Sequence, residues 1–298
     1  MHAMASINVT VFNDPGCPWG YSAIPALRSL EWRYGAQLDW RLVLIGLAED
    51  AQLYVDRGYT PTGSAQGLVG FRRFGMPLGP APRERLSATA PACRLVVAAR
   101  EQSPGSEWRV LRALQLAYFT TPMVLEDVDQ LRAVLDAVEG VDADALVSTM
   151  CAEDVTASYE ADRAETRTAA GTPGAMQGKT ANSDGAERYT APSVRFERGD
   201  MRLEATGFQP VAAYDVLVAN LDATLTRRGP AATALEVLEG LANSAHGPDA
   251  TTAEVAAIMT AGNDEPNRDA TERDLLALVA EGRAHRTALG DGATWLLA

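Results

Sequence analysis

Ile7-Asn8-Val9-Thr10-Val11-Phe12-Asn13-Asp14-Pro15-Gly16-Cys17-Pro18-Trp19-Gly20-Tyr21 decides how this chain is read. Branched and polar residues alternate from Ile7 to Phe12, the pattern of a strand, and Asn13-Asp14-Pro15-Gly16 stops it with a turn. Cys17 then stands where a helix begins, with Pro18 at a first helical position that needs no N–H. The free N–H groups and dipole of a helix start favour an anion, so the Cys17 thiol is expected below the ordinary value of about 8.5. Trp19 offers an apolar wall beside the sulfur or a side chain for the core.

Working outward, Tyr21, Ile24, Leu27, Leu30 and Tyr34 recur at intervals of three and four, which predicts a helix over 18–34, kinked by Pro25 and closed by Gly35. A second strand fits Gln37 to Ile45, so the opening is a βαβ unit with a right-handed crossover. Residues 50–85 show no clean period and read mainly as loop, with a short helix at Gly67 to Phe74. Helices are expected at Pro91 to Gln102, Glu107 to Phe119, Val124 to Val138 and Ala143 to Thr168. A loop from Gly171 to Gly185 holds Lys179, the single lysine of the chain. Ser193 to Phe196 and Met201 to Glu204 flank Arg198-Gly199-Asp200 as a hairpin, and a helix follows from Gln209 to Leu221. Thr190-Ala191-Pro192 leads into that hairpin, where an X-Pro bond is a candidate for the cis form.

Arg227-Arg228-Gly229-Pro230 reads as a domain boundary. Beyond it, helices at Thr251 to Met259 and Thr271 to Glu281 precede a hairpin at Ala284 to Leu297, an order that resembles a winged helix. Residues 230–298 carry 11 acids and 4 arginines, a balance of -7, which is the wrong sign for a DNA reader. The module is therefore expected to serve packing or dimerisation. The expected division is 1–60 with 186–228, an inserted helical part at 61–185, and 229–298.

The whole chain agrees with a globular protein: 298 residues, 47% hydrophobic, 22% charged, and a net charge of -13 that argues against nucleic-acid binding. No window is apolar enough to span a membrane, and the amino terminus lacks a signal-peptide pattern. Cys17, Cys93 and Cys151, an odd number, fit reduced thiols in a cytoplasm better than a disulfide framework. The three histidines are scattered and suggest neither a Cys-His pair nor a metal site, and no phosphate-binding glycine fingerprint is present.

A cysteine at a helix start, a kinking proline eight residues on and Pro192 before a ββα half resemble the thioredoxin-like superfamily. The helical insertion narrows this to its DsbA-like branch. Asp14 to Tyr21, Ala117-Tyr118-Phe119 and Gly207-Phe208-Gln209-Pro210 are similar to the FrnE-like and mycothiol-dependent oxidoreductases. The likeness covers about residues 5–225. It implies an α/β thioredoxin-like fold, a nucleophilic Cys17, and substrate contacts by Pro18, Trp19, Gly20, Thr190, Ala191 and Pro192.

One departure is plain. The family's motif is usually Cys-x-x-Cys, and here the fourth position is Gly20. A monothiol route remains, in which Cys17 forms a mixed disulfide with a small thiol such as glutathione or mycothiol acting as co-substrate, with no tightly bound cofactor. Kappa-class glutathione transferases and 2-hydroxychromene-2-carboxylate isomerases also lack the pair, so transfer or isomerisation of a small aromatic molecule is the alternative enzyme reading. A non-catalytic thioredoxin-like binding protein is the third. Cys93, at the start of an insertion helix, is either a second, resolving thiol or a buried packing residue.

Overall fold

The computed structural model describes residues 6–182 and 185–298; the first five residues, and Ser183 and Asp184 of the 171–185 segment, lie outside the described residues. β1 (Ile7–Asn13) is buried at every position except Asn8, as a strand covered on both faces must be. Where one kinked helix is expected over 18–34, two form, α1 (Pro18–Ser22) and α2 (Ile24–Tyr34). Pro25 has no N–H to continue the ladder, so the chain restarts at Ala23, whose carbonyl accepts from Ala26 and Leu27 at 3.0 and 3.1 Å. α2 closes at Gly35, whose φ of 52° glycine adopts without strain. β2 (Leu38–Leu44) returns parallel to β1, with Val9 opposite Trp40 and Val11 opposite Leu42.

The 50–85 stretch is more ordered than its sequence implies. It holds α3 (Gln52–Asp56) and α4 (Pro61–Val69), then a 3₁₀ turn over Gly70–Phe74 where a short helix is expected from Gly67. Gly63 and Gly67 blur the period of α4, but Thr60 caps it by accepting from the Gly63 N–H at 3.0 Å, and Ala65 and Leu68 bury its inner face. Next come α5 (Ala90–Gln102), α6 (Ser106–Thr120), α7 (Val128–Leu135), α8 (Ala143–Thr149) and α9 (Glu153–Thr166). The helix expected from Ala143 to Thr168 is thus two, and α7 begins after Val124 because Asp127 caps it at Asp129 and Gln130. α10 (Pro173–Met176) and the short antiparallel pair β3 (Thr180–Ala181) and β4 (Arg188–Tyr189) lead to the hairpin β5 (Ser193–Arg198) and β6 (Met201–Thr206), followed by α11 (Val211–Leu221).

The main sheet runs β2-β1-β5-β6, with β5 antiparallel to β1. A single core joins Val9 and Val11 of β1 to Leu27 and Leu30 of α2, Val96 of α5, Leu111 of α6 and Val218 of α11. Helices α5 to α9 of the segment between β2 and β5 therefore pack on the same core as the βαβ unit.

After residue 230 come α12 (Ala234–Leu241), β7 (Ala250–Thr251), α13 (Thr252–Met259), α14 (Arg268–Ala280), β8 (Ala284–Leu289) and β9 (Gly292–Leu297), with sheet order β7-β9-β8. α12 and β7 are additions to the sequence reading. Their core, built on Val237, Leu238, Val255, Leu275 and Trp295, also contains Trp32 of α2. The boundary segment is pinned rather than loose: the Arg228 N–H donates to the Arg33 carbonyl at 2.8 Å, and the Trp32 ring N–H donates to the Gly229 carbonyl at 2.9 Å.

Candidate active site

β1 ends beneath the start of α1, and the turn between them is built around a buried carboxylate. Asp14 accepts from the Gly16 N–H at 2.8 Å, the Leu47 N–H at 2.9 Å and the Thr89 hydroxyl at 3.0 Å, and its carbonyl accepts from the Cys17 N–H at 3.2 Å. Burial raises its carboxyl above the usual range, while these donors oppose the shift. In the sequence Asp14 reads as a turn former and the first residue of the family-like stretch; nothing in a lone Asn-Asp-Pro-Gly turn announces that Leu47 and Thr89, from two distant segments, converge on its side chain.

Cys17 is 7% exposed, and its Sγ donates to the carbonyl oxygen of Ala191 at 3.2 Å. The Ala191–Pro192 peptide is cis. Cys17 and the Thr190-Ala191-Pro192 loop, 174 residues apart along the chain at the closest pair, thus meet at one point. Thr190 is held there by its hydroxyl on the Lys179 carbonyl at 3.0 Å, and Ser193 by its hydroxyl on the Thr190 carbonyl at 2.6 Å.

The expectation of a lowered Cys17 pKa is corrected. Burial pushes the thiol up, to about 11, and the nearby Asp14 charge adds to the rise. The N–H groups of Gly20 and Trp19 and the Arg188 cation pull the other way, as a helix start should, but α1 is only five residues long. Desolvation wins because the sulfur faces the buried cluster of Phe12, Val43, Ile45, Tyr189 and Ala191.

Gly20 is buried in α1, and a Cβ built there would stand 2.1 Å from Asn13 Oδ1. That oxygen is fixed by the Asp14 N–H at 2.8 Å and the Gln115 amide at 3.4 Å. The missing second cysteine is therefore matched by a neighbour that fills its place.

Cys93 is fully buried in α5, and its Sγ donates to Asp14 Oδ2 at 3.5 Å. Burial and the Asp14 charge hold this thiol well above its ordinary value. Cys17, Cys93 and Cys151 are all free, and Cys151 is exposed.

A cleft of about 460 Å³ opens beside Cys17. Gly16, Pro18 and Trp19 line it; Cys17, Gly20, Thr190, Ala191 and Pro192 do not. Trp19, 39% exposed, packs on Phe71, Phe74 and Phe208 with ring centroids 4.9, 5.5 and 5.7 Å away, so it is a wall of the mouth and not a core residue. Tyr54, Tyr59 and Tyr118 continue the aromatic lining, and Arg57, Arg83, Arg85 and Arg188 supply its charge. Of these only Tyr118 is legible from sequence, within a family-like stretch and without a role; the others come from segments brought together only by the fold.

A mixed sheet with a cysteine at the end of its first strand, facing a cis-proline loop, is a thioredoxin-like arrangement. Residues 8–191 match the family described as DSBA-like thioredoxin domain, and the chain belongs to that family. Among solved structures it is similar to one from Nitrosomonas europaea provisionally described as a protein disulfide isomerase, at 18% identity and a TM-score of 0.55, covering 72% of this chain and 97% of that one. It is similar also to the cytosolic disulfide reductase DsbM from Pseudomonas aeruginosa (19% identity, TM-score 0.50, 72% and 99% covered) and to a probable DsbA oxidoreductase from Streptomyces coelicolor (17%, 0.53, 76% and 92%). At these identities the likeness speaks for the fold. Roughly a quarter of this chain has no counterpart in these three structures. Among curated proteins no match is found. Among the described residues no helix is long and apolar enough to cross a membrane.

Proposed function

We propose that the protein is a thiol-disulfide oxidoreductase working through Cys17 alone, with a low-molecular-weight thiol, glutathione or mycothiol, as co-substrate. The observation that carries this reading is the pairing of a Cys17 Sγ held 3.2 Å from the Ala191 carbonyl with a Gly20 whose side-chain space Asn13 fills. The cleft, about 460 Å³, is of the size that takes small molecules. The reaction balances as two exchanges. The Cys17 thiolate attacks RSSR′, its S–S bond breaks, Cys17–S–S–R forms, and R′S⁻ leaves and takes up the proton that Cys17 lost. A second thiol R″SH then attacks the substrate sulfur as its thiolate, releasing RSSR″ and returning Cys17 to the thiol. A thiol of raised pKa is a poor leaving group, so the mixed disulfide is expected to accumulate.

We further propose a FrnE-like subtype, an inserted helical domain at 61–185, a cytoplasmic location consistent with three free thiols, and a homodimer. Residues 229–298 are proposed to form a winged-helix-like module, which the helix and strand order there supports, while its acidic balance disfavours nucleic acid. The aromatic lining by Trp19, Tyr54, Tyr59 and Tyr118 favours, as the second reading, a thiol-dependent transferase or isomerase on a small aromatic molecule.

The test uses the Cys151→Ser chain, since Cys151 is exposed and would react first. Incubation with oxidised glutathione, followed by intact mass, should show one adduct that Cys17→Ser abolishes and excess thiol removes. The alkylation rate of Cys17 should climb about tenfold per pH unit through pH 8 to 10, with no plateau near 8.5. Absence of the adduct, or an adduct that Cys17→Ser leaves in place, overturns the proposed chemistry.

A further inference from the structure

Arg57, Arg83, Arg85 and Arg188 line the cleft beside Cys17, and among the described residues no aspartate or glutamate does. In a chain with 39 acids and 26 bases this is a local inversion of charge. Arg83 is the most telling. It is 9% exposed, and its guanidinium bonds backbone carbonyls only, that of Met123 at 2.9 Å and that of Tyr118, while lying 3.8 Å over the Tyr118 ring. Among the described residues no carboxylate pairs with it. A buried cation without a counter-ion is costly, and burial accordingly draws its pKa down. Arg85, two residues on, is exposed and among the described residues pairs only with its neighbour Glu84. A low-dielectric cleft lined by one sign of charge concentrates field toward a ligand of the other sign.

We infer that the cleft selects disulfides bearing a carboxylate or a comparable anionic group, held by Arg83 and Arg85 while the apolar body lies against Trp19, Tyr54 and Tyr118. This rests on the thiol-disulfide reading above and deepens it by naming the substrate class. Arginine suits the role because its planar fork meets a carboxylate with two parallel bonds. A neutral sugar thiol gains nothing from this wall, so the inference also ranks the two small thiols: glutathione, with two carboxylates, ahead of mycothiol.

The experiment compares two chromogenic aromatic disulfides on the full chain carrying Cys151→Ser. 5,5′-Dithiobis(2-nitrobenzoate) has a carboxylate on each ring, and 4,4′-dithiodipyridine has none. Each rate is divided by that of free 2-mercaptoethanol at the same pH and salt, which removes intrinsic reactivity, and the Cys17→Ser background is subtracted. The normalised rate should favour the anionic probe by about tenfold at low ionic strength and approach parity near 1 M salt. Arg83→Met and, separately, Arg85→Met should each lower that preference. Arg85 is exposed and bonds its neighbour Glu84, so its variant remains informative if Arg83→Met fails to fold. Parity of the two probes at low salt, or a preference that neither substitution lowers, overturns the inference and leaves the thiol-disulfide reading standing. If neither probe reacts at Cys17, that reading fails instead. Equilibrium dialysis of 2-nitrobenzoate, which cannot react, then decides the anion site alone: Arg85→Met must weaken its binding, and unchanged binding overturns the site.

Discussion

At the scale of single residues, Gly20 and Asn13 contend for one space beside the site. An alanine in a helix interior ordinarily gains up to about 1 kcal/mol over glycine. Here the new Cβ would meet Asn13 Oδ1 at 2.1 Å, and that oxygen cannot swing away without abandoning the Asp14 N–H. Gly20→Ala is therefore expected to destabilise the fold by about 1–3 kcal/mol, the usual cost of overpacking. Asn13→Ala in the same chain should recover part of that loss, and a double-mutant cycle by urea denaturation measures the coupling. Additive effects would show that the two side chains do not compete for one space. By the same geometry Gly20→Cys alone is expected not to rebuild a dithiol pair with Cys17, which intact mass after oxidation would check.

At the scale of elements, the aromatic wall of the cleft is fastened from a distance. Phe71 and Phe74 lie on the 3₁₀ turn after α4, and the chain just beyond them is held by the β8–β9 turn. Asp291 accepts from the Leu78 N–H at 2.7 Å and from Arg72 at 3.0 Å, and its own N–H donates to the Leu78 carbonyl at 2.8 Å. Arg268 adds a bond to the Arg73 carbonyl at 3.2 Å, and the Tyr21 hydroxyl one to the Pro77 carbonyl at 2.8 Å. Asp291→Ala leaves the Leu78 N–H without its acceptor, at a cost of about 1–3 kcal/mol. Amide exchange should rise in peptides covering 70–79 while α5 and α6 keep their protection. Uniform exchange across the chain would argue that Asp291 acts on global stability and not on this wall.

The elements that sequence reveals are those whose signals are local. β1, β2 and the β5–β6 hairpin follow from alternation and turn residues, and α5 and α6 from a clean helical period. α4 hides behind two glycines, although Thr60-Pro61 is a readable start. α12 likewise has a readable cap in Thr233, which accepts from the Glu236 N–H at 3.1 Å. The meeting of Cys17 with Pro192 was legible through residue types at chain positions. Asp14 as a hub, and a cleft walled by arginines from three separate segments, were not, because only the fold brings them together.

At the scale of the whole molecule, the acid excess after residue 230 is partly spent inward. Glu254 is fully buried and takes a two-pronged bond from Arg112 at 2.7 and 2.9 Å, with Arg28 at 3.4 Å. Beside it, Glu31 of α2 accepts from the Ser244 hydroxyl at 2.6 Å and lies 3.2 Å from His246 and 3.1 Å from Arg28. Burial alone would raise the Glu31 carboxyl, but His246, Arg28 and Ser244 outweigh it and bring the pKa down to about 2. The folded value lies below the unfolded one, so the link is fully present above about pH 4.5 and is lost as pH falls toward 2. The shift is of the order of 3 kcal/mol. Glu31→Gln should therefore lower the urea midpoint at pH 7 and change it little near pH 2, flattening the acid limb of the stability curve. Asp249, held down by Arg112 against its own burial, titrates in the same sense and keeps some slope in the variant. A Glu31→Gln chain whose midpoint falls with acid as steeply as the parent's would place the acid-sensitive contact elsewhere than at the seam between α2 and the carboxy-terminal helices.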